Sequence, residues 1–171
     1  MIKKLKDFNL VQYVTIKHGE QKYGKNLPYI YHLLKVKAVC DRYIDLFDWK
    51  DDDKEIIRTS VLCHDLLEDT ETTMEELIHL FNEDVAQIVF NVSGFGKNRK
   101  ERNTNAYTKI KNDPRSIFVK LCDRISNVEE SITYPEKLEM YKKEYDTFKT
   151  YVYNGMFLVM WDYLEHLILN K

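Results

Sequence analysis

Apolar residues recur at helical spacing along most of the chain. Leu10 to His18 predicts a first helix that ends at Gly19, and Glu20 to Pro28, mixing Gly, Lys and Asn, predicts a loop with Pro28 opening the next element. From Tyr29 to about Phe47, Leu33, Val36, Val39 or Cys40, and Tyr43 or Ile44 return at three- and four-residue steps, which predicts a second helix with His32 in its first turn. Asp48 to Lys54 reads as an acidic, solvated connection, and a third helix is expected over about Lys54 to Leu67. Thr72 or Thr73, with Glu75 or Glu76 three residues on, forms a capping box for a fourth helix. That helix carries Leu77, Phe81, Val85, Ile88 and Val89 and is expected to break near Asn82.

Gly94 to Asn105 is the least hydrophobic piece and reads as a basic loop that Gly94 and Gly96 leave free to move. Asp113-Pro114 then opens a helix with two faces. Ile117, Leu121, Ile125 and Val128 form its apolar stripe, and Lys120, Asp123, Arg124 and Asn127 form a polar stripe roughly opposite. Two more helices follow, one with Leu138, Tyr141, Tyr145, Phe148 and Val152, the other with Phe157, Met160, Trp161, Leu164, Leu167 and Ile168. Their aromatics read as core or homodimer contacts. With no repeat and no strand-like alternation of useful length, the expected architecture is an all-α helical bundle. It forms one domain over 1–171, with a core of about 10–150 and C-terminal helices beyond it.

Composition narrows the function. Only 5 Gly and 3 Pro in 171 residues favour helices joined by short loops, and 44% hydrophobic residues suffice for a full core. A net charge of -2 argues against a dedicated nucleic-acid binder. The run Lys97 to Arg102 is basic, but few aromatics interleave with it, so a nucleic-acid partner is not expected. Cys40, Cys63 and Cys122 form no CxxC and sit among apolar neighbours, as small core residues do in a reducing compartment. The charged N-terminus, Met1 to Asp7, has no apolar segment behind it, and nothing approaches a membrane span. A cytoplasmic protein is expected.

One stretch breaks the pattern: Val61-Leu62-Cys63-His64-Asp65-Leu66-Leu67-Glu68-Asp69-Thr70. Ile57, Val61 and His64 are spaced four and three apart, so the imidazole falls on an apolar face. On a helix continuing to Thr70, His64 would pair with Glu68 and Asp65 with Asp69. Three carboxylates and an imidazole beside an apolar run are costly to bury unless a cation compensates them. Imidazole and carboxylate are natural ligands for Zn, Mn or Fe. The competing reading is a solvated helix end leading into the next cap. Only ligands from distant parts of the chain decide for the metal.

Those ligands exist. His32, then His64-Asp65, then Asp123, on three helices, follow the order that marks the HD phosphohydrolase superfamily. With His18-Gly19-Glu20-Gln21, Pro28-Tyr29-Ile30-Tyr31-His32, the Glu68-Asp69-Thr70 run and Lys120-Leu121-Cys122-Asp123-Arg124-Ile125-Ser126-Asn127, the chain resembles the hydrolase domain of RelA/SpoT proteins and the small alarmone hydrolases. The resemblance covers roughly residues 10 to 150. It implies a divalent metal on His32, His64, Asp65 and Asp123, with Mn2+ the first choice and Zn2+, Fe2+ or Mg2+ the others. It also implies removal of the 3′-pyrophosphate from (p)ppGpp, with Glu68 and Asp69 positioning water and handling protons. Lys120, Arg124 and Asn127 share a face with Asp123 and would reach phosphate or ribose.

Departures limit the substrate. Alarmone hydrolases carry an Arg after the Gln that packs on guanine, whereas this chain has Lys22-Tyr23, with Tyr23 the residue that would stack in its place. Leu33 stands where the family has Pro. The Lys97 to Arg102 run and the segment Met140 to Tyr145 are similar instead to compact stand-alone bacterial and phage HD proteins. The expectation is a metal-dependent phosphohydrolase of a small phosphorylated nucleotide, with an alarmone first. A phosphatase for another nucleotide or dinucleotide cofactor is the alternative, and a non-catalytic nucleotide-binding HD module the reading from outside enzymology. Lys97, with Arg99 or Arg102, is expected to close over the phosphate distal to the metal.

Overall fold

The computed structural model describes residues 9–169. The charged N-terminal stretch Met1 to Asp7, and residues 170–171, lie outside the described residues. Helix α1 (Leu10–His18) starts on Asn9, whose side chain accepts from the Gln12 N–H, and stops at Gly19 in a positive-φ conformation. The segment read as a loop holds a minimal antiparallel ladder, β1 (Lys22–Tyr23) against β2 (Leu27–Pro28). Pro28 therefore closes the hairpin, and α2 (Ile30–Tyr43) begins two residues later. A 3-10 turn over Ile44–Leu46 ends that layer earlier than the apolar spacing suggested.

Helix α3 (Asp51–Cys63) starts three residues before the predicted boundary. Asp51, Asp52 and Asp53 form its first turn, where carboxylates oppose the positive end of the helix dipole, so the acidic stretch is largely a helix start. After Cys63 the helix breaks and a single turn, α4 (Leu66–Asp69), follows. Helices α5 (Met74–Leu80) and α6 (Glu83–Val92) are separate, as expected. Thr73 caps the first through the Glu76 N–H, and Asn82 caps the second through Val85.

The largest departure is α7 (Arg99–Ile110), which occupies most of the segment read as a mobile loop. Asn98 caps it by accepting from the Glu101 N–H, while the Glu101 carboxylate accepts from the Lys97 N–H. The preceding glycines serve close approach and not mobility: a Cβ on Gly94 would stand 2.6 Å from the Arg102 carbonyl oxygen. Helix α8 (Pro114–Ser131), capped by Asp113, is the central element and packs against α2, α3, α6 and α10. Ile117, Leu121, Ile125 and Val128 are buried along it as the stripe predicted. Helices α9 (Pro135–Val152) and α10 (Leu158–Leu169) close the bundle, and Tyr141, Tyr145, Phe148, Phe157 and Trp161 are core residues. Cys40, Cys63 and Cys122 are buried and free. No helix among the described residues is long and apolar enough to cross a membrane.

Candidate metal centre

The break after Cys63 builds the site. Helix C-terminal carbonyls lack intrahelical partners, and the Val61 carbonyl is satisfied by the His64 ring, whose Nδ1 donates to it at 2.8 Å. Asp65 follows in a turn whose carbonyl accepts from the Glu68 and Asp69 N–H groups. The predicted i,i+4 pairs of a continuous helix therefore do not form. Asp65 turns back beside His64, and Glu68 turns across to Gly94.

His32, His64 and Asp65 each offer a ligand atom within 4.8 Å of the others. Asp123 faces them from α8, its Oδ1 3.4 Å from His32 Nε2 and 3.8 Å from His64 Nε2. Asp65 Oδ2 lies 2.9 Å from His64 Nε2 and 3.5 Å from His32 Nε2. Because His64 Nδ1 is spent on the Val61 carbonyl, Nε2 is the ring atom turned toward both carboxylates. His64 Nε2 is buried without a hydrogen-bond partner. Imidazole nitrogen facing carboxylate oxygen calls for positive charge between them, and this donor set fits a divalent cation in that place.

The carboxylates draw positive charge onto both rings: burial disfavours a charged His64, but Asp65 and then Asp123 lift it above its ordinary value. Burial disfavours a charged His32, but Asp123 and Asp65 outweigh it and lift the ring to about 9. Burial would raise both carboxyls. His64 and His32 beside Asp65, and Lys120 followed by the two histidines beside Asp123, hold them well below the usual range. Lys120 Nζ sits 3.3 Å from Asp123 Oδ2 and also donates to the Val92 carbonyl.

A polar pocket of about 210 Å³ opens over this cluster. Glu68, Asp69, Arg99, Arg102, Lys120, Arg124, Asn127 and Tyr23 line it. Burial is the main cause that raises the Glu68 carboxyl, against the Gly94 N–H that donates to its Oε2 at 2.7 Å. Arg124 is buried and committed, donating to Glu144 and to the Tyr107 hydroxyl and resting on the Tyr141 and Phe148 rings. Arg99 also grips Glu144, through two hydrogen bonds of 2.6 and 3.0 Å. Lys22 and Lys97 do not line the pocket; both are exposed. Tyr23 stacks on His32 at 4.7 Å between centroids and 13° between planes, so that ring face is taken by a metal-facing side chain.

No family model matches the chain. A search of curated proteins finds a guanosine-3′,5′-bis(diphosphate) 3′-pyrophosphohydrolase of Aquifex aeolicus, 39% identical over 122 residues, 68% of this chain and 16% of that protein. A protein of the same name from Spiroplasma citri is 32% identical over 143 residues, 78% of this chain and 18% of the relative. The chain thus spans less than a fifth of these bacterial relatives. The enzyme named MESH1 from Drosophila melanogaster is 26% identical over 69% of this chain and 65% of its own length. A solved structure described as a metazoan ortholog of SpoT that hydrolyzes ppGpp superposes with a TM-score of 0.78 over 94% of this chain and 92% of the other, at 21% identity.

The chain resembles part of these pyrophosphohydrolases over about two thirds of its length and shares the fold of the solved SpoT ortholog. Within the site, sequence reasoning missed Gln21, Tyr29, Gly94 and Tyr141, which also reach it. Gln21 and Tyr29 lie inside the motifs His18-Gly19-Glu20-Gln21 and Pro28-Tyr29-Ile30-Tyr31-His32, which carry the signal without assigning a role. Tyr141 and Gly94 are brought in by tertiary packing alone.

Proposed function

We propose that this chain is a metal-dependent phosphohydrolase of a small phosphorylated nucleotide, with 3′-pyrophosphate removal from (p)ppGpp as the first candidate reaction. The observation that carries the reading is the convergence of His32, His64, Asp65 and Asp123, with His64 Nε2 turned toward both carboxylates. A divalent cation, Mn2+ by first choice, supplies Lewis acidity and a bound water of lowered pKa when held there. Glu68, whose carboxyl burial raises above the ordinary glutamate value, is the proposed group that takes up and returns a proton. Asp69, fixed by the Gln21 amide, is the proposed partner that orients water. Lys120 and Arg102 contribute positive charge for phosphate oxygens, and Asn127 a polar contact near Asp123. The names of the relatives support the alarmone, and a cytoplasmic location is proposed with it.

A second reading, a phosphatase for another nucleotide or dinucleotide cofactor, is favoured by one observation: Tyr23 is engaged with His32 and not free on both faces for a base. A binding-only module is disfavoured because Glu68 and Asp69 both line the pocket. The test is release of pyrophosphate or phosphate by purified protein with Mn2+, across a panel of ppGpp, nucleoside monophosphates and dinucleotide cofactors, with metal content measured in parallel on His64→Ala. Pyrophosphate release from ppGpp alone is the expected result. Equal metal content in wild type and His64→Ala would overturn the metal assignment, and phosphate release from another member of the panel would move the substrate to the second reading.

A further inference from the structure

Between α1 and α2 the chain makes a hairpin, closed where the Tyr29 N–H donates to the Gln21 carbonyl at 3.1 Å. The hairpin and the residue that closes it supply none of the four metal-facing side chains. Yet three side chains of this segment reach the acids of the site or their direct partners, Asp65 and Asp69 on the α4 turn and Asp123 on α8. The Tyr29 hydroxyl donates to Asp65 Oδ2 at 2.6 Å. The Gln21 amide donates to Asp69 Oδ2 at 2.8 Å. The Tyr23 hydroxyl reaches Asn127 Oδ1 at 3.0 Å, and the Asn127 amide in turn donates to the Asp123 carbonyl at 3.1 Å and to its carboxylate.

Chemistry fixes the direction of every link. An ionised carboxylate only accepts, so Gln21 must turn its NH2 to Asp69 and leave its carbonyl oxygen for His18 Nδ1, 2.7 Å away. Asn127 must likewise turn its NH2 to Asp123, which leaves its oxygen to accept from Tyr23. His18 stacks on Tyr29 at 4.5 Å and 24°, so the outer ends of two links brace each other. Burial, and after it the charge of Asp65, keeps the Tyr29 phenol protonated. Asp65 Oδ2 is also the oxygen turned toward both imidazoles. A carboxylate swings readily about its terminal torsion, and a donor on the ligating oxygen fixes that rotation and shares its charge.

We propose that the segment Gln21 to Tyr29 is an orienting strap for the carboxylates of the centre, with Tyr29 the positioning residue for Asp65 and Tyr23, through Asn127, the positioning residue for Asp123. The inference rests on the metal reading of the site given above. Its test is Mn2+ affinity, measured by competition with a chromogenic chelator, together with melting of the metal-free protein. Wild type, Tyr29→Phe, Tyr23→Phe and Tyr31→Phe are compared. Tyr31 is the control because its hydroxyl, on the first turn of α2, donates outward to Glu130 at 3.0 Å.

Tyr29→Phe is expected to weaken Mn2+ binding about ten- to hundred-fold, the usual scale for a lost outer hydrogen bond to a ligand. Tyr23→Phe should move the same way, and Tyr31→Phe should bind as wild type does. The metal-free melting temperature should be the same in Tyr29→Phe and Tyr31→Phe. Wild-type affinity in Tyr29→Phe, or equal losses in Tyr29→Phe and Tyr31→Phe, would overturn the strap while leaving the metal centre standing. A wild-type protein that takes up no Mn2+ would overturn the metal reading and the strap with it. Should Tyr29→Phe not fold, Tyr23→Phe decides alone, and wild-type affinity there is the overturning result.

Discussion

Arg102 Nε lies 3.5 Å from Glu68 Oε1, tying the first turn of α7 to the acid of α4 across the pocket mouth. The other Glu68 oxygen accepts the Gly94 N–H, and Gly94 in turn packs against the Arg102 backbone. A short ring of contacts, Glu68 to Gly94 to Arg102 and back to Glu68, thus ties α4 to the start of α7 and the stretch before it. Only a glycine fits that ring, because a Cβ would meet the Arg102 carbonyl.

This relationship divides the two arginines that the sequence treated alike. Arg102 is about two-fifths exposed and loosely paired, so a substrate phosphate can draw it from Glu68. Arg99 is held by two hydrogen bonds to Glu144. Arg102→Ala should therefore raise KM for a doubly phosphorylated nucleotide by about tenfold or more, in keeping with a lost hydrogen bond to a charged group. KM for a simple monophosphate ester should stay near the wild-type value, as should metal content. Steady-state kinetics on the two substrates check this. Equal effects on both would show that Arg102 is no clamp for the distal phosphate.

Catalysis by the acidic pair makes a separate prediction. Glu68→Gln and Asp69→Asn should keep the metal but lower turnover by roughly two to four orders of magnitude, the scale of a lost general acid or base. Metal analysis and kcat on the same preparations check it. Metal lost along with activity would make either residue a ligand or a support.

Much of this geometry was legible beforehand, and the exceptions have physical reasons. The Ile117, Leu121, Ile125 and Val128 stripe, the Asn82 break and the Asp113 cap are local signals, and each marks what the fold contains. Helix α7 escaped notice because its apolar residues, Ala106, Tyr107 and Ile110, all lie in its second half, while its first turn is charged. Its cap was nonetheless written in the spacing of Asn98 and Glu101. The break at His64 has no Gly or Pro to announce it, since it is held by one side chain on one carbonyl. The four metal-facing residues were readable as a set from their order. What surrounds them was not: that Arg124 is spent on Glu144 and Tyr107, and that Tyr23 covers His32, follow from packing between separate elements.

Glu144 carries the last prediction, which concerns stability and pH. Its carboxylate accepts from Arg99 and from the buried Arg124, joining α7, α8 and α9 behind the pocket. Burial works to raise this carboxyl, but the two guanidinium groups outweigh it and leave it below the ordinary glutamate value. A depressed folded-state pKa means that the contribution is complete above the unfolded value and fades as pH falls through the folded one. Glu144→Gln should cost about 2 kcal/mol at neutral pH, the scale of a hydrogen bond to a charged group. For a chain of this size that is a drop of about 4 to 8 °C in melting temperature. The gap between wild type and variant should be constant from neutrality down to the ordinary glutamate range and shrink below it. Thermal melts across that range check the sign, and a gap that widens toward low pH would show that the arginines do not stabilise the ionised carboxylate.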